Sequence, residues 1–279
     1  MTPAPQPAFA AAAPGGDAPG RSPYETLRYD LRDDVATLAF ARPERLNVLD
    51  AQAKADLIHA LRRAGSEARA VVLTGLGEAF CAGHALGDAP RIRELDLGRT
   101  MREETRPLLE AMAASPLPIL AAVNGVAAGA GLALVLAADV AVAAEGASFA
   151  VTSSRVGVIP DAGLSFWLPR LVGPARARGL AMLGEPISAR QAADWGLIWE
   201  AVPDAAFAER IEARARALAS GPTQGHRLTR EALRSGLELS WSEQLEREAD
   251  LQAQAGRTRD FLSAALAEAE GRPARFEGR

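Results

Sequence analysis

The chain has 279 residues, 48% apolar but only 5% aromatic, enough for one large core or two smaller ones packed by alanine, leucine and valine. A net charge of −4, from 31 basic and 35 acidic side chains, offers no polyanion-binding surface and argues against a nucleic-acid role. The single cysteine, Cys81, excludes an internal disulfide and a cysteine-rich metal framework, and fits a reducing, cytoplasmic setting.

The first 22 residues are rich in proline, alanine and glycine, without the basic start and apolar centre of a signal peptide, and read as a disordered tail. Order is expected from about Tyr24. Val35 to Phe40 reads as a strand, and Asp50 as the N-cap of a helix through Ala64 with Ala53, Leu57, Ile58 and Leu61 on one face. Val71 to Thr74 is the next strand. Asp88 to Arg99 is charged and irregular, as a mobile flap would be, and Arg102 to Ala114 is a helix stopped by Ser115-Pro116. Leu132 to Ala138 is helical and Val140 to Ala143 is a short strand. Asp139, between them, breaks the nearest approach to a membrane span. Strands alternating with helices predict an α/β domain with a largely parallel sheet, taken as residues 23–200. Beyond Pro169 helices are expected with no strand between them, and 201–279 reads as a helical C-terminal subdomain. Trp195 and Trp199 read as core.

Two glycine-rich turns stand out. Val71-Val72-Leu73-Thr74-Gly75 is followed by Phe80-Cys81-Ala82-Gly83-His84-Ala85-Leu86. Ile119 to Val123 runs into Asn124-Gly125-Val126-Ala127-Ala128-Gly129-Ala130-Gly131 and then into the helix. Each reads as a buried strand entering a turn of small residues, where backbone N–H groups can face a ligand. A helix N-terminus adds partial positive charge. Two such turns can supply two donors to one oxygen, which is an oxyanion hole.

These turns, together with Arg42-Pro43-Glu44-Arg45-Leu46-Asn47, resemble the crotonase (enoyl-CoA hydratase/isomerase) superfamily, from about Tyr24 to the C-terminus. Val158-Ile159-Pro160-Asp161-Ala162-Gly163 and Leu168-Pro169-Arg170-Leu171-Val172-Gly173 are similar to its ring 1,2-epoxyphenylacetyl-CoA isomerase branch. So are Arg176 to Gly184 and Trp195 to Trp199. The resemblance implies a spiral of ββα units, a homotrimer or dimer of trimers, an acyl-CoA thioester as substrate, and no cofactor beyond the CoA of the substrate itself. It places the oxyanion donors at the backbone N–H groups of His84 and Ala130, and the catalytic carboxylate at Asp161. Arg45, Leu46, Ala82, Gly83, Ala85, Leu86, Gly129 and Ser153 would then lie against the substrate. The two glutamates of the family's hydratases correspond to Ala133 and Ser153, so two-carboxylate hydration is disfavoured. A lone aspartate suits isomerisation: it takes a proton from one carbon of the acyl group and returns it to another, or assists rearrangement of a ring epoxide to an oxepin.

Taken alone, Asp161 fits a turn aspartate or a helix N-cap, and only the two turns and the family frame favour catalysis. The backbone of His84, more than its imidazole, is what the motif requires. Two departures from the family stand out: Ala85 replaces an aspartate of the first turn, and the C-terminal stretch offers Ala265, Glu268 and Arg272 in place of an aromatic and a lysine that contact CoA. The rival readings are an enoyl-CoA hydratase with atypical residues, a non-catalytic acyl-CoA-binding subunit and, more distantly, an aryl-CoA dehalogenase with a nucleophilic aspartate.

Overall fold

The structure, a computed structural model, describes residues 23–85 and 93–278. The expected tail, Leu86 and the start of the expected flap lie outside them. The chain opens with β1 (Leu27–Arg32) and β2 (Val35–Phe40), an antiparallel pair, then α1 (Ala51–Glu67), β3 (Ala70–Gly75) and β4 (Ala79–Cys81). A helix, α2 (Leu97–Thr100), passes through a π-helical turn (Met101–Thr105) into α3 (Arg106–Ala113). The helix expected from Arg102 therefore begins earlier, where the Asp96 side chain accepts from the Arg99 N–H. Next come β5 (Ile119–Val123), β6 (Val126–Ala128), α4 (Ala130–Ala137), β7 (Val140–Ala144) and β8 (Ser148–Ala150).

Successive strand pairs divide between two sheets. The six-stranded sheet runs β1-β2-β3-β5-β7 and ends on a late strand, Glu200–Val202 (β10), parallel from β2 onward; the four-stranded sheet runs β4-β6-β8 and ends on Ile187–Ser188 (β9). Each of the pairs β3/β4, β5/β6 and β7/β8 thus gives one strand to each layer, so the chain climbs as a spiral. The large sheet is covered on both faces, which is why β3 and β5 are continuous apolar runs without alternation. On one face Val71, Leu73, Ile119 and Ala121 meet Leu57 and Leu61 of α1; on the other, Val72, Leu120 and Val142 meet Phe207, Ile211 and Ala215.

The second half departs from an all-helical run. α5 (Leu164–Leu183) is bent at Gly173, and its first half was hidden in the sequence by Pro169. Two short strands follow, β9 (Ile187–Ser188) and β10 (Glu200–Val202), separated by α6 (Ala189–Asp194). Both are too short to show a period, so the expectation of no strand here is corrected. β10 is the last strand of the large sheet and spans the boundary expected after residue 200. α7 (Asp204–Ser220) covers the sheet, and α8 (Thr223–Ser235), α9 (Trp241–Ala255) and α10 (Arg259–Ala269) complete the chain. Arg230 of α8 is buried and gives Asp139 two hydrogen bonds of 2.6 Å while also donating to the Ser115 and Leu117 carbonyls, which ties the helical end to the entry of β5. Trp195 packs against the core, but Trp199 is 68% exposed, against the expectation that both are core. Among the described residues, no helix is long and apolar enough to cross a membrane.

Candidate active site

Three segments meet where the two glycine turns were expected. The first is the loop after β2, carrying Arg45 and Leu46. Arg42 reaches across it to Asp50 with two hydrogen bonds, of 2.6 and 2.9 Å, and Asp50 also accepts from the Ala53 N–H as the N-cap of α1. The Arg42 guanidinium, aided by that amide, pulls the Asp50 carboxyl down to about 2. Asn47, buried and left-handed at φ 50–60°, donates to the Leu76 and Ala79 carbonyls and accepts from the Arg42 N–H. Arg45 projects to solvent, and Leu46 is 45% exposed.

The turn after β4 is laced to this loop. Ala82 N–H donates to the Leu46 carbonyl, Leu49 N–H to the Gly83 carbonyl and Ala85 N–H to the Leu49 carbonyl. His84 and Leu49 so form a parallel bridge in which the flanking groups of His84, not its own, face Leu49. Among the described residues the His84 N–H donates to nothing.

The turn after β6 leaves a second main-chain amide open. Gly129, at φ 50° and ψ −124°, is the N-cap of α4, and Ala130, the first residue of this wholly buried helix, has no intrahelical acceptor for its N–H, which is likewise unsatisfied among the described residues. Gly83 rests directly on this turn: with φ at 101°, a β-carbon there would lie 2.8 Å from the Ala128 carbonyl oxygen and 3.4 Å from the Ala130 nitrogen. Asn124 completes the frame, its side chain accepting from the Gly75 N–H and donating to the Gly77 carbonyl. Sequence reading missed Asn47 and Asn124 as braces. Their signal, a buried amide at each end of a glycine turn, lay in the quoted motifs.

Asp161 stands across from the first turn. Its Oδ2 lies 3.4 Å from Nε2 of His84, with 41% of its side chain exposed. The carboxylate is not an N-cap: that position of α5 falls to Gly163, and Ala162 before it is left-handed at φ 51°. A non-glycine residue there costs about 1–2 kcal/mol, strain of the sort that gathers at functional sites. Among the described residues, Nδ1 of His84 and Oγ of Ser153 are buried without a hydrogen-bond partner. Ala133 is fully buried in α4. Cys81 is also buried, and burial pushes its thiol up to about 12 despite the Gly83 N–H. A cavity of about 490 Å³ opens beside the residues that follow Asp161, lined by Ala162, Gly163, Phe166, Trp167, Met101 and Leu109 among others. Of the C-terminal residues that replace the family's aromatic and lysine, Ala265 and Glu268 lie exposed on α10, and Arg272, the candidate substitute, pairs with Glu270 at 2.5 Å.

Comparison with known proteins identifies the family. The enoyl-CoA hydratase/isomerase family matches residues 30–279. A Rhodobacter capsulatus protein described as a probable enoyl-CoA hydratase is 48% identical over 256 residues, 92% of this chain and 99% of that protein. The 1,2-epoxyphenylacetyl-CoA isomerase of Escherichia coli is 40% identical over 260 residues, 91% of this chain and 99% of that protein. The crystal structure of an enoyl-CoA hydratase from Bacillus anthracis superposes with a TM-score of 0.83 at 30% identity, over 91% of this chain and all of that one. The chain belongs to the crotonase family of enoyl-CoA hydratases and isomerases.

Proposed function

We propose that the protein is an acyl-CoA isomerase that holds a thioester enolate between the backbone N–H groups of His84 and Ala130 and moves a proton with Asp161. The observation that carries this is the 3.4 Å approach of Asp161 to His84, the residue whose own N–H faces the ligand space. The acid stands one histidine side chain from the oxygen-binding site, which suits the carbons next to the thioester carbonyl. Asp161 takes a proton from Cα as the C–H bond breaks. The electron pair passes into the carbonyl, whose oxygen becomes an oxyanion held by the two amides and by the N-terminus of α4. Delivery of the same proton to Cγ restores the carbonyl and leaves the double bond shifted, with nothing consumed. No cofactor beyond the CoA of the substrate takes part, and the setting is the cytoplasm.

The acyl group is an aryl-acetyl or related enoyl unit, probing 1,2-epoxyphenylacetyl-CoA first. In support, the Escherichia coli relative bears that name, and the cavity beyond Asp161 is walled by Phe166 and Trp167, rings 4.9 Å apart and edge to face. The assembly is a homotrimer or a dimer of trimers, a reading supported by the apolar side chains left exposed on and around α9 and α10, with Trp241 at 77% and Leu262 at 59%. The hydratase reading has one observation in its favour, the buried hydroxyl of Ser153, which has no partner among the described residues and can hold a water. Asp161→Asn separates the two. It is expected to fold and to bind CoA as the parent does while losing most isomerisation and the exchange of α-hydrogen with solvent; unchanged turnover rejects Asp161 as the base. Substantial hydration of crotonyl-CoA by the parent enzyme would favour the hydratase.

A further inference from the structure

We infer that the imidazole of His84 is a positioning residue for Asp161, donating from Nε2 to the carboxylate, so that this one residue orients the thioester oxygen by its main chain and the base by its side chain. The inference rests on the isomerase reading of the same site. Something must hold Asp161: it follows a proline, precedes a strained Ala162 and caps no helix, and among the described residues its one close polar contact is His84, at 3.4 Å.

The protonation pattern follows from the other ring nitrogen. A carboxylate only accepts, so an attractive contact requires the proton on Nε2. Among the described residues Nδ1 is buried without a partner; a bare lone pair is tolerated there, whereas an N–H would be buried with nothing among them to receive it. The geometry therefore favours the Nε2–H tautomer, which aims a donor at the Asp161 carboxylate and so fixes its orientation.

Substitution isolates this role, because every residue but proline keeps the backbone N–H at position 84. His84→Leu, His84→Gln and Asp161→Asn are compared for kcat, KM and loss of α-deuterium from a deuterated aryl-acetyl-CoA, with thermal melting to verify folding. His84→Leu is expected to lower kcat and α-exchange together by on the order of tenfold, as befits one hydrogen bond to a charged group, with KM changed less than about twofold. His84→Gln, whose amide also donates, restores most of that loss. In an Asp161→Asn background, His84→Leu costs nothing further. Should leucine not be tolerated, His84→Ala carries the same comparison. A leucine variant with parental kcat, a glutamine variant as slow as leucine, or an undiminished cost in the asparagine background overturns the inference. Activity surviving in Asp161→Asn alone fails the isomerase reading instead.

Discussion

Gly131→Ala sets two opposed effects against each other, and the structure decides between them. Gly131 lies in the first turn of α4, where alanine is the better helix former by about 1 kcal/mol. A β-carbon there, however, would meet the Cys81 carbonyl oxygen at 2.0 Å and the Cys81 β-carbon at 2.9 Å. Carbon does not approach a backbone oxygen much inside 3.0 Å, so α4 or β4 must give way by about 1 Å, and every residue of α4 is buried, leaving it little room to slide. Overpacking of this kind costs about 1–3 kcal/mol, so the net destabilisation is about 0–2 kcal/mol. At roughly 2–4 °C per kcal/mol, melting drops by roughly 0–8 °C. The rate responds far more strongly, since a displacement of about 1 Å at a catalytic group costs roughly a hundredfold. The proposed donors sit one on each element, Ala130 at the start of α4 and His84 just after β4, so whichever moves, kcat/KM for isomerisation should fall by about that factor in a protein that still folds. Gly179→Ala is the control: it is helical, a methyl there meets nothing within 4 Å, and both rate and melting should hold or improve slightly. A folded Gly131→Ala enzyme with parental kcat/KM would refute the claim that contact between α4 and β4 sets the donor position.

Two further predictions concern the frame around the site. Because Arg42 holds the folded carboxyl of Asp50 near 2 against an ordinary 3.8, its contribution is complete above about pH 4 and disappears as pH falls through about 2. The gap in melting temperature between the parent and Asp50→Asn should therefore close over that range; a gap independent of pH would show that the carboxylate's charge contributes nothing. Cys81, buried with its thiol pushed up to about 12, should resist an aromatic disulfide reagent at pH 8 until the protein unfolds. Rapid stoichiometric labelling of the folded enzyme would contradict its placement beneath the first turn.

What the sequence reveals here is whatever a short stretch determines. Val35 to Phe40 and Val71 to Thr74 are legible because both sheet faces are covered, and α1 because Asp50 both precedes it and caps it. β1 is not, since Leu-Arg-Tyr-Asp-Leu-Arg is half polar at the sheet edge and owes its pairing to β2, with Asp56 of α1 accepting from Thr26 just before it. β9 and β10, two and three residues long, exist only because a neighbour is there to pair with. The candidate site divides in the same way. Its glycine turns are local, and their amides depend on backbone shape, so they survive the loss of carboxylates at the positions of Ala133 and Ser153. The approach of His84 to Asp161 joins two distant loops, and no spacing announces it. That division has a chemical consequence. Main-chain donors demand only small residues and close packing, so a fold that keeps them can stabilise an enolate whatever side chains face it. Which bond then forms or breaks depends on the side chains opposite, in the proposed reading one carboxylate and the imidazole beside it. On that reading the turns displayed by the sequence activate the thioester, and a contact between distant loops, which no spacing announces, selects the reaction.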